Sequence, residues 1–420
     1  MVRELAIRCK EAAGRLRTAD TGVKNRALEK LAALLEENIG KIIAENRHDL
    51  ESARTSGMTE ALIDRLTLNE KRIAGMAGGV RKIIMQADPV GGADGAVRHA
   101  NGMLIHKRRV PLGTVGVIYE SRPNVTVDIA ALCIKSGNAA LLRGGREALY
   151  SNTILSDLAR QALEKAGLPA DCVCLVTDTD RSSAVEMMGL SGLLDVLIPR
   201  GGAGLIRTVV ENAKVPVVET GVGVCHVYID DEADLAMAEK ILVNAKCQRP
   251  SVCNAAETLL AARSVAGEFL PRAAASLAPY GVRLHCCPET LEILRRGGDL
   301  PPAVTPAAEA DWETEYNDFD LAVRVVGGLY EATAHIAKYG SGHSEAIVTK
   351  NYFTAKRFCD RVDAAAVYIN ASTRFTDGEE FGLGAEIGIS TQKLHVRGPM
   401  GLTALTSTQY IVEGEGQVRE

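Results

Sequence analysis

The sequence has no excess of positive charge. Its 48 lysines and arginines stand against 53 aspartates and glutamates, a formal net charge of −5 with a pI of about 6.0. That balance lacks the basic field a nucleic-acid binder needs. No apolar run approaches the ~18 residues of a membrane span. The opening stretch MVRELAIRCKEAAGRLR has no apolar signal-peptide core. There is no C-x-x-C pair. The ten cysteines, at 9, 133, 172, 174, 225, 247, 253, 286, 287 and 359, lie mostly in apolar runs. Cys172/Cys174 and His285-Cys286-Cys287 lack paired zinc spacing, so neither a metal site nor a disulfide framework is expected. These absences leave a protein expected in the reducing cytoplasm, with no nucleic-acid or membrane partner. What is present suits a globular enzyme of two or three domains: 420 residues, 46% apolar and 24% charged, with 40 glycines and 14 prolines marking many turns.

Residues 1–95 read as helical. Leu28, Leu31, Leu35, Ile39 and Ile42 recur at helical spacing and predict one amphipathic stripe. The segment 97–111 changes character, with Asn101-Gly102 between alternating runs as a hairpin signal. From 115 a strand–helix alternation begins, with apolar strands expected at 115–119, 139–142, 173–176, 195–199 and 215–219. Pro123 and Asn124 open the first intervening helix, Gly137 closes it, and Gly167 closes the next. A second alternation predicts strands at 258–261, 282–285, 322–326, 345–348 and 366–369, with 298–310 as a loop. Continuously apolar strands separated by helices imply parallel sheets covered on both faces. The expectation is an α/β fold of two αβα domains with parallel-type sheets, plus a protruding oligomerisation hairpin. The first domain spans 1–240, with 370–400 returning to the domain interface, and the second spans 241–369. The segments 97–111 and 403–412, alternating and outside both cores, would form an oligomerisation sheet.

Several residues have the chemistry of a site. Arg200-Gly201-Gly202-Ala203-Gly204 ends a strand and opens a helix, where glycines and free N–H groups suit a phosphate. Alone it is equally a tight βα turn. Gly221-Val222-Gly223 and Gly382-Leu383-Gly384 are weaker, with no clear strand before and helix after. Arg143 and Arg146 follow the second strand of the alternation, where arginine accommodates a 2′-phosphate and an acid would favour a ribose hydroxyl; a surface pair near a turn is the plainer explanation. Cys253 lies in the polar stretch Gln248-Arg249-Pro250-Ser251-Val252-Cys253-Asn254 at the expected domain junction, with Arg249 favouring its thiolate. The other cysteines look like small core residues. Glu219 ends an apolar strand and either lines a site or caps a helix. Asn124 either donates to a developing oxyanion or caps its helix.

Taken together, long ordered stretches carry a resemblance. They are VPLGTVGVIYESRPNVTVDIAALCIKSGNAALLRGG at 110–145, LIPRGG at 197–202 and VPVVETGVGVCHVYID at 215–230. NAKCQRPSVCNAAETLL at 244–260, HIAKYGSGHSEAI at 335–347 and FGLGAEIGISTQKLHVRGPMGL at 381–402 complete them. The sequence resembles the aldehyde dehydrogenase superfamily, and within it the γ-glutamyl phosphate reductase family, over essentially the whole chain. The resemblance implies an aldehyde dehydrogenase-like fold. It also implies NADPH-dependent reduction of L-glutamyl 5-phosphate to L-glutamate 5-semialdehyde and phosphate, through a cysteine thioester, in the second step of proline biosynthesis. By the same resemblance Cys253 is the nucleophile, Asn124 the oxyanion donor, and Glu219 stands at the general-base position of hydrolytic relatives. Arg143 takes the place of a lysine at the adenosine ribose, Gly201 and Gly202 cover the pyrophosphate, and Glu315 holds the nicotinamide ribose. Asn370, Ser372 and Arg374 lie among substrate-lining residues, with Arg122 and Arg249 as further anion ligands. The alternating segments at 97–111 and 403–412 imply a homo-oligomer, at least a dimer, and association with glutamate 5-kinase is a further expected partnership. Two departures stand out: Cys247 replaces an expected threonine, and Asn317 and Asp320 make the segment after Tyr316 unusually polar.

The alternative within the same fold is a phosphate-independent aldehyde dehydrogenase that hydrolyses its thioester. A cofactor-free cysteine hydrolase is opposed by the Gly-rich turn and Arg143, and a non-catalytic nucleotide-binding module by Cys253.

Overall fold

The computed structural model describes residues 1–296 and 303–419. The chain forms two compact units, one of Met1–Thr220, Gly382–Gly388 and Pro399–Glu420, the other of Gly221–Phe381 and Ile389–Gly398. The division therefore falls at Thr220–Gly221 rather than at 240/241. The reason is a strand at Cys225–Ile229 that hydrogen-bonds into the second unit's sheet and carries the helix Leu235–Cys247 with it.

The first unit begins with the expected helices, Val2–Leu16, Thr21–Glu37, Ile39–Thr55, Glu60–Leu66 and Glu70–Met85. The predicted apolar stripe is split between two of them. Leu28, Leu31 and Leu35 are buried on one and Ile42 on the next. At the break, both the backbone N–H and the side-chain amide of Asn38 donate to the Leu34 carbonyl, the amide at 2.8 Å, ending the first helix there. Beyond them lies a four-stranded parallel sheet in the order 173–175, 139–144, 114–119, 196–200. The chain starts on Thr114–Tyr119, steps outward twice, and returns on the other side with Val196–Arg200. That reversal makes a topological switch point, and ligands in open α/β sheets bind outside the carboxyl ends of the strands there. Residues 120–124 and 200–202 are the ones the sheet delivers to it. The fifth strand expected at 215–219 is not formed. Only Val217 makes a bridge, to Leu197, because Pro216 has no N–H to continue a ladder.

An antiparallel three-stranded sheet completes this unit, with Leu104–Pro111 between Ala93–Arg98 and Thr406–Glu413. The hairpin turns at Asn101-Gly102, where Gly102 has a φ of +94°. The terminal strand begins at Thr406, not 403, since Leu402–Leu405 is a 3-10 turn.

The second unit holds a seven-stranded parallel sheet in the order 304–306, 283–286, 320–326, 256–262, 225–229, 344–348, 366–369. Its central strand, Ala256–Ala262, is buried along its whole length, as a strand covered on both faces must be. Helices Leu235–Cys247, Arg263–Leu277 and Pro288–Arg295 pack Ile241, Leu242, Phe269, Leu270 and Leu291 into the core. Part of the expected loop at 298–310 is structured: Val304–Pro306 pairs with Leu284–Cys286, while 298–302 lie outside the described residues.

Candidate active site

In the second unit the helix Leu235–Cys247 ends and the chain turns through 248–255 before entering the central strand. Cys253 lies in that turn and is partly exposed. Two features fix its backbone. Gly223 packs so closely that a Cβ there would overlap the Cys253 carbonyl, and the Cys225 thiol donates to the same carbonyl oxygen at 3.2 Å. Burial, with Glu345, Cys253 and Glu257 adding to it, pushes the Cys225 thiol well above its ordinary range, so it remains a protonated donor. Cys247, at the end of the helix before the turn, is pushed up to about 11 by burial. A thiol held protonated is a poor competitor in attack.

Beneath the turn, Lys246 and Glu257 form an ion pair at 2.6 Å with both side chains fully buried. Burial raises the Glu257 carboxyl and Lys246 acts the other way. Glu257 also accepts the Asn317 N–H at 3.3 Å, and Asn317 turns the chain with a φ of +57°. The polar segment after Tyr316 thus has structural work to do: Asp320 opens its strand paired with Arg283 and with His285, the latter at 2.8 Å. Glu315 accepts the Gly223 N–H at 2.7 Å, which places it beside the glycine that holds Cys253.

The segment 370–376 is tied to the same turn. Thr373 donates to the Asn254 carbonyl at 2.7 Å, and the Asn254 amide donates to the Thr376 carbonyl at 2.9 Å. Arg374 donates to Gln248 at 2.9 Å and to the Asn254 side chain. Its guanidinium is half-buried, and burial followed by the neighbouring Arg249 charge lowers its pKa. Ser372 is buried and accepts the Arg374 N–H at 3.3 Å. Asn370 is committed elsewhere: its amide binds both the N–H and the carbonyl of Thr349 at 2.9 Å.

In the first unit Asn124 is the first residue of the helix Asn124–Lys135, with Pro123 at the cap position. It is not the helix cap. Its amide instead donates to Asp128, one turn on, at 2.9 Å. Arg122 is half-buried in the turn before it. That turn is strained at Ser121, whose φ is +44°, and the Glu147 carboxylate secures it by accepting the Ser121 N–H and hydroxyl at 2.7 and 2.9 Å. Gly202 caps the helix Ala203–Asn212 without a side-chain bond, and its N–H is taken by Glu120 at 3.0 Å. A Cβ at Gly201 would meet that carboxylate. Arg143 donates to the carbonyls of Thr179 and Asp180 at 2.8 and 3.1 Å. Arg146 is exposed, and Glu219 is half-buried in the irregular stretch after Val217.

Sequence reasoning did not single out Cys225, Asp128, Glu120, Glu147 or the Lys246–Glu257 pair, and offered Gly223 only as part of a weak glycine motif. The four-residue spacing of Asn124 and Asp128 was a usable signal, since such residues share a helix face. Nothing local marks the need of Gly223 for a bare backbone, which comes from a residue far along the chain.

The chain matches the aldehyde dehydrogenase family over residues 4–283. It is 58% identical over 418 residues to γ-glutamyl phosphate reductase of Carboxydothermus hydrogenoformans, covering 100% of this chain and 99% of that one. It is 53% identical over 418 residues to γ-glutamyl phosphate reductase of Enterococcus faecalis, with 100% and 99% covered. The crystal structure of γ-glutamyl phosphate reductase from Thermotoga maritima superposes with a TM-score of 0.96 at 49% identity, covering 100% of both chains.

Proposed function

This chain belongs to the aldehyde dehydrogenase family, and from that membership we propose that it reduces L-glutamyl 5-phosphate to L-glutamate 5-semialdehyde and phosphate with NADPH, the second step of proline biosynthesis. The observation that carries this reading is the 58% identity, end to end, with a γ-glutamyl phosphate reductase.

Cys253 serves as the nucleophile. Its thiolate attacks the acyl carbon, the bond from that carbon to the phosphate oxygen breaks, phosphate leaves, and a thioester remains. The charge that develops on the carbonyl oxygen is received by the Asn124 amide and the Cys253 backbone N–H. NADPH, which Gly201, Gly202, Arg143, Arg146 and Glu315 would hold, would supply the hydride that reduces the thioester. The carbon–sulfur bond then breaks, releasing the aldehyde and returning the Cys253 thiolate. Arg374 and Arg249 support an anion site beside the nucleophile. Two guanidinium groups that raise each other's electrostatic cost are relieved by a phosphate or carboxylate between them. Arg122 is the third candidate for these anions. Ser372 positions Arg374 through its backbone, and Asn370 sets the chain direction leading there. Glu219 stands where hydrolytic relatives activate water. In a reductase that activity would waste the phosphorylated substrate, so its role is to orient and not to activate water.

The residues of the first unit fit a nicotinamide dinucleotide. The helix start at Gly202, which has no side-chain cap, already holds a carboxylate on its N–H, so it accepts an oxygen anion and suits a pyrophosphate. Arg143 lies near the end of the strand Ala139–Gly144 and Arg146 just beyond it; the end of that strand meets the adenosine ribose in such folds, so the pair suits a 2′-phosphate, hence NADPH over NADH. Glu315 would hold the nicotinamide ribose. The three-stranded sheet supports a homo-oligomer. The lability of an acyl phosphate supports association with glutamate 5-kinase in the cytoplasm. Among the described residues no helix is long and apolar enough to cross a membrane.

The test is oxidation of glutamate 5-semialdehyde, followed by nicotinamide absorbance, with and without phosphate and with NADP⁺ or NAD⁺. Turnover that requires phosphate and prefers NADP⁺ is expected. Turnover indifferent to phosphate would establish the phosphate-independent aldehyde dehydrogenase instead.

A further inference from the structure

Asn124 has a partner that the chemistry above does not use. Its amide nitrogen carries two hydrogens pointing in different directions. One is spent on the Asp128 carboxylate, 2.9 Å away and one helical turn on. The other is left to point elsewhere. An unanchored asparagine at a helix start is free to exchange its oxygen and nitrogen by rotating about its last bond. With the oxygen facing a developing oxyanion, it would repel rather than stabilise. A carboxylate accepts hydrogen bonds and donates none, so it selects the nitrogen of Asn124 and rejects the oxygen. The selection lasts while the group is ionised. Burial pushes the Asp128 carboxyl up to about 6, while the Asn124 N–H and the Arg200 charge act to keep it ionised. Arg200 ends the strand at the switch point, and a Cβ at Gly388 would press on its guanidinium, so its position is also confined.

We propose that Asp128 is a positioning residue for acyl transfer: by holding one N–H of the Asn124 amide it fixes the amide so that nitrogen, not oxygen, is offered to the developing oxyanion. The proposal rests on the reading of Asn124 as oxyanion donor and adds the device that fixes its orientation. Asp128 touches neither substrate nor cofactor in this account. Its effect passes entirely through Asn124.

That dependence makes the test a double-mutant cycle. Asn124→Ala should lower kcat for semialdehyde oxidation by about 10²–10³-fold, the usual loss for one oxyanion donor. Asp128→Ala should lower kcat about tenfold, as for one hydrogen bond, with KM nearly unchanged. Asp128→Asn, whose amide donates as well as accepts and so no longer rejects the Asn124 oxygen, should recover only a minor part of the loss. The double Asn124→Ala/Asp128→Ala variant should be no slower than Asn124→Ala alone. The burst of nitrophenol from p-nitrophenyl acetate, which needs the thiolate and oxyanion donors but no nicotinamide, should follow the same order. If Asn124→Ala is slow while Asp128→Ala is at full rate, or if the two losses multiply in the double variant, the role of Asp128 is refuted and the oxyanion reading stands. If Asn124→Ala turns over at the wild-type rate, both fall together.

Discussion

Arg143 shows how a residue of suitable chemistry can still be a poor experimental handle. Two backbone carbonyls already occupy its guanidinium, so replacing it would disturb the loop at 179–180 as well as any cofactor phosphate. Arg146 is exposed and makes the cleaner variant. Charge-assisted bonds to a phosphate contribute about 1.5–3 kcal/mol, roughly 10–100-fold in affinity. Arg146→Ala is therefore expected to weaken NADPH binding at least about tenfold and to leave NADH binding nearly unchanged, as read by fluorescence titration. Equal losses for both cofactors would move the 2′-phosphate contact to another residue. Cys253 stood out as chemistry in the residues themselves, whereas Glu315 and the segment ending at Arg374 were reached only through the family resemblance. What sequence could not show is that Gly223 links the first two, since only the fold brings that backbone against the Cys253 carbonyl.

At the scale of elements, the turn that carries Cys253 is anchored where the preceding helix and the following strand are tied by Lys246 and Glu257. A buried charge left without its partner costs about 3–5 kcal/mol. Lys246→Met should lower unfolding free energy by about that amount, measured in denaturant. Adding Glu257→Gln should restore a large part of it. A single variant as stable as the parent would show that the pair is not ionised. Most strands and helices were readable because continuous apolar runs and Gly or Pro punctuation mark parallel αβ units directly. The failures have local causes. Asn38 divides one apolar stripe between two helices, because a stripe records a face and not where the axis breaks. Pro216 prevents a strand at 215–219, although its neighbours are apolar. Val304–Pro306 forms a strand although the segment reads as a loop, since its order comes from pairing with Leu284–Cys286 and not from its own pattern.

For the whole molecule, the three-stranded sheet presents outer strands with Val97, Tyr410 and Val412 at 66%, 65% and 55% exposure. Edges of this kind invite pairing with another chain. Light scattering of the full chain at micromolar concentration should give a dimer or larger species, and Tyr410→Lys with Val412→Lys should shift it towards monomer. A monomeric parent would refute assembly through this sheet. Acyl transfer, however, depends on one of ten cysteines, Cys253, carrying the acyl group. The direct measurement compares phosphate-dependent semialdehyde oxidation by Cys253→Ala and Cys247→Ala, with folding and NADPH binding checked in each. Cys253→Ala should show no detectable turnover, with fold and NADPH binding intact, and Cys247→Ala should keep most of the activity; turnover by Cys253→Ala, or equal loss in both, would remove Cys253 from the nucleophile role.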